Sequence, residues 1–184
     1  MPRRHWRPAR RLVPSLAAAA SGFAASTVLG APAWAGPPDT SDEPPPCWAD
    51  QIAVIASATQ GAVGHRALTL IFTLAGGAEP CTLSGYPGVD TGTGGAPIHA
   101  QPTPRGYMGG LPADVDVPPT VILSLSTQGQ AIVEGVAVDG SGNQCPTYTD
   151  LGVSPPDIVQ VFTVPGNIDA CMLQVHPVTG ANNG

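Results

Sequence analysis

The side chains most able to do chemistry are four cysteines, Cys47, Cys81, Cys145 and Cys171. A zinc site would want its ligands in closely spaced pairs, and the chain has no C-x-x-C or C-x-H. An even number of cysteines in an exported chain reads as two disulfides, with three possible connectivities that spacing alone does not separate. The expected pairing is Cys47–Cys81 and Cys145–Cys171, because each pair flanks neighbouring predicted strands. Past residue 35 the histidines are His65, His99 and His176. His65 falls in the turn Gly64-His65-Arg66, His99 in an irregular stretch, and His176 on the outward phase of the last predicted strand. All three read as surface histidines rather than bases or ligands. No G-x-S-x-G is present, so a hydrolytic triad would have to be assembled by the fold. Asp139-Gly140-Ser141-Gly142-Asn143 begins like a calcium loop. It has Gln144 where such a loop needs glycine and lacks the distal glutamate, so an Asx turn is expected. Asp114 and Asp116 read as a solvated acidic edge. Catalytic residues, metal ligands and cofactors are therefore all expected to be absent.

One segment suits recognition instead. Arg105, Tyr107, Met108 and Leu111 place a cation, an aromatic ring and apolar groups together in the irregular region 92–119, making them the candidate partner surface. Gly106, Gly109 and Gly110 deny that loop anchoring side chains, and Arg105 could stack on Tyr107 or reach an acid. The opposing expectation is that the loop folds onto its own sheet and buries Tyr107 and Leu111.

Charge narrows the partners. Five of the seven arginines lie in the first eleven residues, there is no lysine, and all thirteen acids follow residue 38. Residues 36–184 carry two arginines against those acids, a formal charge of −11. Nucleic-acid binding needs clustered cations and is excluded; docking on anionic lipid is disfavoured for the same reason. The Arg-rich start, the uncharged run 12–29 and Ala33-Trp34-Ala35 make residues 1–35 an expected signal peptide cleaved near Ala35. The choice between general and twin-arginine export stays open. No cysteine stands at the cleavage point, so no lipid anchor and no stable membrane anchor are expected.

The elements that must position these groups are strands. Residues 36–46 form a Pro-rich acidic linker. Beyond them, 67–74 alternates with Leu68, Leu70, Phe72 and Leu74 on one face. Residues 121–125 alternate likewise, with Leu125 inward, and are expected to form a hairpin with 132–138 turning near Gly129. Segments 52–56, 158–164 and 171–176 supply further strands, and 98–101 a possible short one. Gly and Pro interrupt nearly every window long enough for a helix. The expected architecture is an all-β antiparallel sandwich, immunoglobulin-like and stapled by two disulfides, over 47–178, with 179–184 a disordered tail. Gly85-Tyr86-Pro87-Gly88 reads as a structural corner, its tyrosine packing its ring and donating its hydroxyl to a backbone carbonyl.

The block Pro80-Cys81-Thr82-Leu83-Ser84-Gly85-Tyr86-Pro87, with an opening Cys47 and a closing segment from Cys171 to Val178, resembles a secreted actinobacterial family, domain of unknown function 4232. The resemblance covers about residues 47–178. It implies an immunoglobulin-like sandwich exported by a mycobacterium or a relative, and no established activity. The functional expectation is a non-enzymatic binding or interaction module of the cell envelope or secreted milieu, its partner an unknown protein or envelope component. The alternative is a secreted hydrolase of envelope polymers, for which His99 or His176 would have to meet a carboxylate in a cleft.

Overall fold

The computed structural model describes residues 43–181. The expected signal peptide, most of the 36–46 linker and the last three residues of the tail lie outside them. These residues form twelve strands, of which β2, β4, β5, β9 and β12 were not expected from alternation: β1 (Ile52–Ala56), β2 (Gln60–Ala62), β3 (His65–Leu74), β4 (Cys81–Ser84), β5 (Gly88–Thr91), β6 (Gln101–Pro102), β7 (Thr120–Leu123), β8 (Gly129–Val136), β9 (Thr147–Ser154), β10 (Phe162–Asp169), β11 (Met172–Val175) and β12 (Thr179–Gly180). One layer is the sheet β1-β3-β8-β11-β6, with β2 added to β3 and β12 to β8. The other comprises the sheet β10-β9-β5 and the pair β4-β7. Every ladder between these strands is antiparallel except the two-residue β11–β6 pairing.

The core lies between the layers. Leu68, Leu70 and Phe72 of β3, Val133 of β8 and Leu173 and Val175 of β11 meet Val89, Leu151, Val153, Val164 and Ile168 from the opposing sheet. Period-two alternation put these residues on one face, and burying that face is what fixes the register, since a slip of one residue would turn each of them to water. Cys47–Cys81 and Cys145–Cys171 are bonded as expected, so the chain is an all-β sandwich stapled twice.

Three expectations about the elements are corrected. Residues 121–125 and 132–138 form no hairpin: β7 pairs with β4, and β8 pairs with β3 and β11. Ser124 and Thr127 bond each other's backbone in a tight turn that carries the chain between layers, which leaves Leu125 95% exposed at its tip. Alternation identifies a strand but not its partner. The strand expected at 158–164 begins only at Phe162, because Pro155, Pro156 and Asp157 make a turn closed by Ile158 N–H on the Pro155 carbonyl. Its interior Pro165 is accommodated because β10 is an edge strand, with a register shift just beyond. Finally, the domain overruns both its expected bounds. Pro45 accepts the Thr82 N–H, and Thr179 and Gly180, placed in the disordered tail by sequence, pair with Gln130 and Gly129.

The corner is built as expected in its backbone. Gly85 adopts φ +104°, a left-handed conformation that disfavours side chains, and its carbonyl accepts the Val178 N–H. The hydrogen-bonding tyrosine is a different one. Tyr148, 1% exposed, donates its hydroxyl to the Ala96 carbonyl at 2.6 Å, while the half-buried Tyr86 makes no such bond among the described residues.

Candidate functional site

On β8 the inward side chains are Ala131 and Val133, so Glu134 points to the outer face of its sheet. His176, just past β11, lies on that outer face too, as its phase predicts; His65 opens β3 on the same face. An outer face would ordinarily leave these groups in water. Here Glu134 is 4% and His176 1% exposed. The covering element is the irregular loop, which runs across the sheet from Thr103 to Leu111. Reading His65 and His176 as free surface histidines is therefore corrected: the face is right, but a distant loop covers it.

The loop is held by its backbone rather than by side chains. Tyr107 N–H donates to Glu134 Oε1 at 3.2 Å and Met108 N–H to Oε2 at 3.0 Å. His176 Nε2 lies 3.4 Å from Oε2, and its Nδ1 donates to the Thr103 carbonyl at 2.8 Å, tying the same histidine to the start of the loop. His65 Nδ1 sits 2.8 Å from Oε1, off the line that a directed hydrogen bond needs, so that contact is electrostatic. Burial alone would raise the Glu134 pKa. The Met108 N–H, His176, the Tyr107 N–H and His65 together outweigh it and hold the carboxyl below its ordinary value. Gly106 is required here: a Cβ at that position would come within 2.3 Å of Glu134 Oε2 and 2.7 Å of the His176 ring. The glycines thus do not loosen the loop; at Gly106 the backbone reaches the carboxylate because there is no side chain.

The four expected surface residues separate. Leu111 is 6% exposed and packs inward, so it leaves the partner surface. Among the described residues Arg105 stacks on no ring; its guanidinium donates to the Pro112 and Val115 carbonyls and to Asp116 Oδ1 at 2.8 Å, closing the segment 105–116 on itself. Met108 is half-buried. Tyr107 alone is displayed, 61% exposed, with its ring stacked on His65 at 4.6 Å between centroids and 20° between planes. The loop therefore folds onto its sheet, as one expectation had it, and shows its tyrosine, as the other had it.

Asp139 and His99 are engaged locally. Asp139 accepts the Ser141 and Asn143 N–H groups and the Asn143 amide, the expected Asx turn, and these bonds lower its pKa. His99 Nδ1 lies 2.8 Å from Asp90 Oδ1, both side chains more than half exposed. Two carboxylates thus meet histidines: Glu134, beside both His176 and His65, is buried under the loop, and Asp90, beside His99, stands open on the surface. Neither carboxylate lines the cavity beside Trp48 or the one beside Arg66. Nothing local in Val133-Glu134-Gly135 marked the glutamate as buried; the signal available to sequence was an acid in the centre of an otherwise apolar strand.

No curated protein and no solved structure matches the chain. A family model does, the domain of unknown function DUF4232, over residues 47–179, a span that takes in both disulfides, the Gly85 corner and the Glu134-clamped loop. The chain belongs to that family.

Proposed function

We propose that this protein is an exported, non-enzymatic interaction module of the cell envelope or secreted milieu, which contacts a protein or envelope component through Tyr107. The observation that carries this reading is a large aromatic side chain 61% exposed yet held at both ends, by a ring stack on His65 and a backbone bond to Glu134. A contact residue already fixed in its bound geometry loses little entropy on association, and tyrosine supplies much area for two rotatable bonds. The non-enzymatic part is supported by the burial of Glu134 and His176, whose polar atoms are turned to the loop and to each other. Export is supported by the two disulfides, which persist in oxidising compartments, and by the Arg-rich, apolar start of the chain. Among the described residues no helix is long and apolar enough to cross a membrane.

Tyr107→Ala tests the binding role. Truncating a central tyrosine costs about 2 kcal/mol of binding, roughly a thirtyfold loss of affinity. Wild type immobilised against envelope extract should retain a saturable partner that the variant does not, while both melt at the same temperature. Recovery of identical proteins by both would contradict the proposal, as would a variant that melts several degrees lower. Export is tested by intact mass: the secreted protein should begin at Gly36 with no lipid adduct, and a start upstream of Leu29 would contradict cleavage.

A further inference from the structure

Away from Tyr107, beside the first disulfide, lies a cavity of about 540 Å³ whose wall includes Trp48, Pro156 and Val159, with Ser84, Asp157 and Gln160 among its polar lining. Trp48 is 72% and Val159 98% exposed. We propose that this cavity binds a neutral oligosaccharide, with the Trp48 indole as the platform for a sugar ring. This inference is independent of the Tyr107 surface.

The Trp48 backbone is held from both sides. Cys47, its neighbour, is bonded to Cys81, and the Cys47 N–H donates to the Thr82 carbonyl at 3.0 Å. On its other side the Gln51 side chain accepts the Trp48 N–H at 2.8 Å, and the Gln51 N–H returns to the Trp48 carbonyl at 3.0 Å. A side chain so exposed contributes little to the core, while the backbone beneath it is fixed from both directions. The polar groups are as telling. Among the described residues the side chains of Ser84, Asp157 and Gln160 have no hydrogen-bond partner in the protein, and Asp157 holds φ +60°, a conformation uncommon outside glycine.

The ligand class follows from matching both surfaces at once. A pyranose presents C–H groups on one face and hydroxyls around its edge, so one flat indole and a hydroxyl, a carboxylate and an amide meet it together. An acyl chain would engage none of those three exposed polar groups. An anionic polymer would meet Asp157 and a domain of strongly negative charge. A proline-rich peptide docks between several aromatic rings, and Trp48 is the one aromatic side chain in this wall.

The test is calorimetric titration of the full, disulfide-bonded protein with maltohexaose, cellohexaose and N-acetylchitohexaose, beside a proline-rich decapeptide. At least one saccharide should bind with Kd on the order of 1 mM or tighter. Trp48→Ala should weaken it at least tenfold, Trp48→Phe should retain part of the affinity, and Asp157→Asn should weaken it severalfold. Tyr107→Ala should leave it unchanged, which separates this site from the proposed partner surface. Trp48 being exposed, its variants should keep the wild-type melting temperature; Trp48→Phe serves as the folded control if the alanine variant does not. No heat from any of the saccharides at about 10 mM would overturn the proposal. So would undiminished binding by Trp48→Ala, or binding of the peptide in place of the sugars.

Discussion

Glu134→Ala should lower stability by about 3–5 kcal/mol, the cost of removing one member of a buried, hydrogen-bonded charge cluster. The carboxylate is 4% exposed, accepts from the two loop amides and lies beside the His176 and His65 rings. Without it the Tyr107 and Met108 N–H groups lose their acceptor, and the loop loses its attachment to β8. Glu134→Gln keeps the volume and one acceptor oxygen, so its cost should fall nearer 1–3 kcal/mol. Thermal melts near neutral pH order the three proteins; a Glu134→Ala variant as stable as wild type would contradict the clamp. The pH dependence has a definite sign. A carboxyl whose folded pKa lies below its ordinary value of 4.5 contributes stability above that value and loses it as pH falls through the folded pKa. Wild type should therefore lose its advantage over Glu134→Gln progressively as the pH drops from about 5 to about 3.

Reduction of both disulfides should unfold the protein. The bridges close loops with sequence separations of 34 and 26, for which the chain-entropy relation gives about 3.5–4 kcal/mol each. The two loops do not overlap along the chain, so their effects should add to about 7 kcal/mol, comparable with the whole stability of an ordinary domain, about 5–15 kcal/mol. The order of loss is predicted as well. Cys81 is fully buried and Cys47 nearly so, whereas Cys171 is exposed, so graded reductant should open Cys145–Cys171 first. Peptide mapping across the titration follows it, with circular dichroism reporting the fold. Retention of the strand signal after both bridges are reduced would show that packing alone suffices.

The sandwich was legible because its strands carry their burial in their spelling. Leu68, Leu70 and Phe72 in one phase, with threonines in the other, require one dry face whatever the partner strand, and the two cysteine pairs required only that neighbouring strands carry them. What stayed hidden depends on long-range contact. Which strand lies beside β7 is a property of two layers, and 121–125 is equally alternating in a hairpin or against β4. The outer-face position of His176 followed from its phase, but its burial follows from a loop far earlier in the chain. Arg105 and Tyr107 are two residues apart, and spacing left Arg105 either stacking on that ring or reaching an acid; the structure sends it to Asp116 in the 112–116 turn and puts His65 under the ring instead. Trp48 lies next to a cysteine and gave no local sign of a cavity, because the opposite wall is supplied by the 156–160 turn.

Amide hydrogen exchange at Tyr107 and Met108 tests most directly whether Glu134 holds a preformed contact loop. In wild type near neutral pH these two amides should be protected well beyond what an exposed loop shows, since each donates to a buried carboxylate. In Glu134→Gln their protection should fall sharply while the amides of β3 and β8 keep theirs. Fast exchange of Tyr107 and Met108 in wild type, or equal protection in the variant, would mean that the loop is not clamped and that Tyr107 is not a preorganised contact.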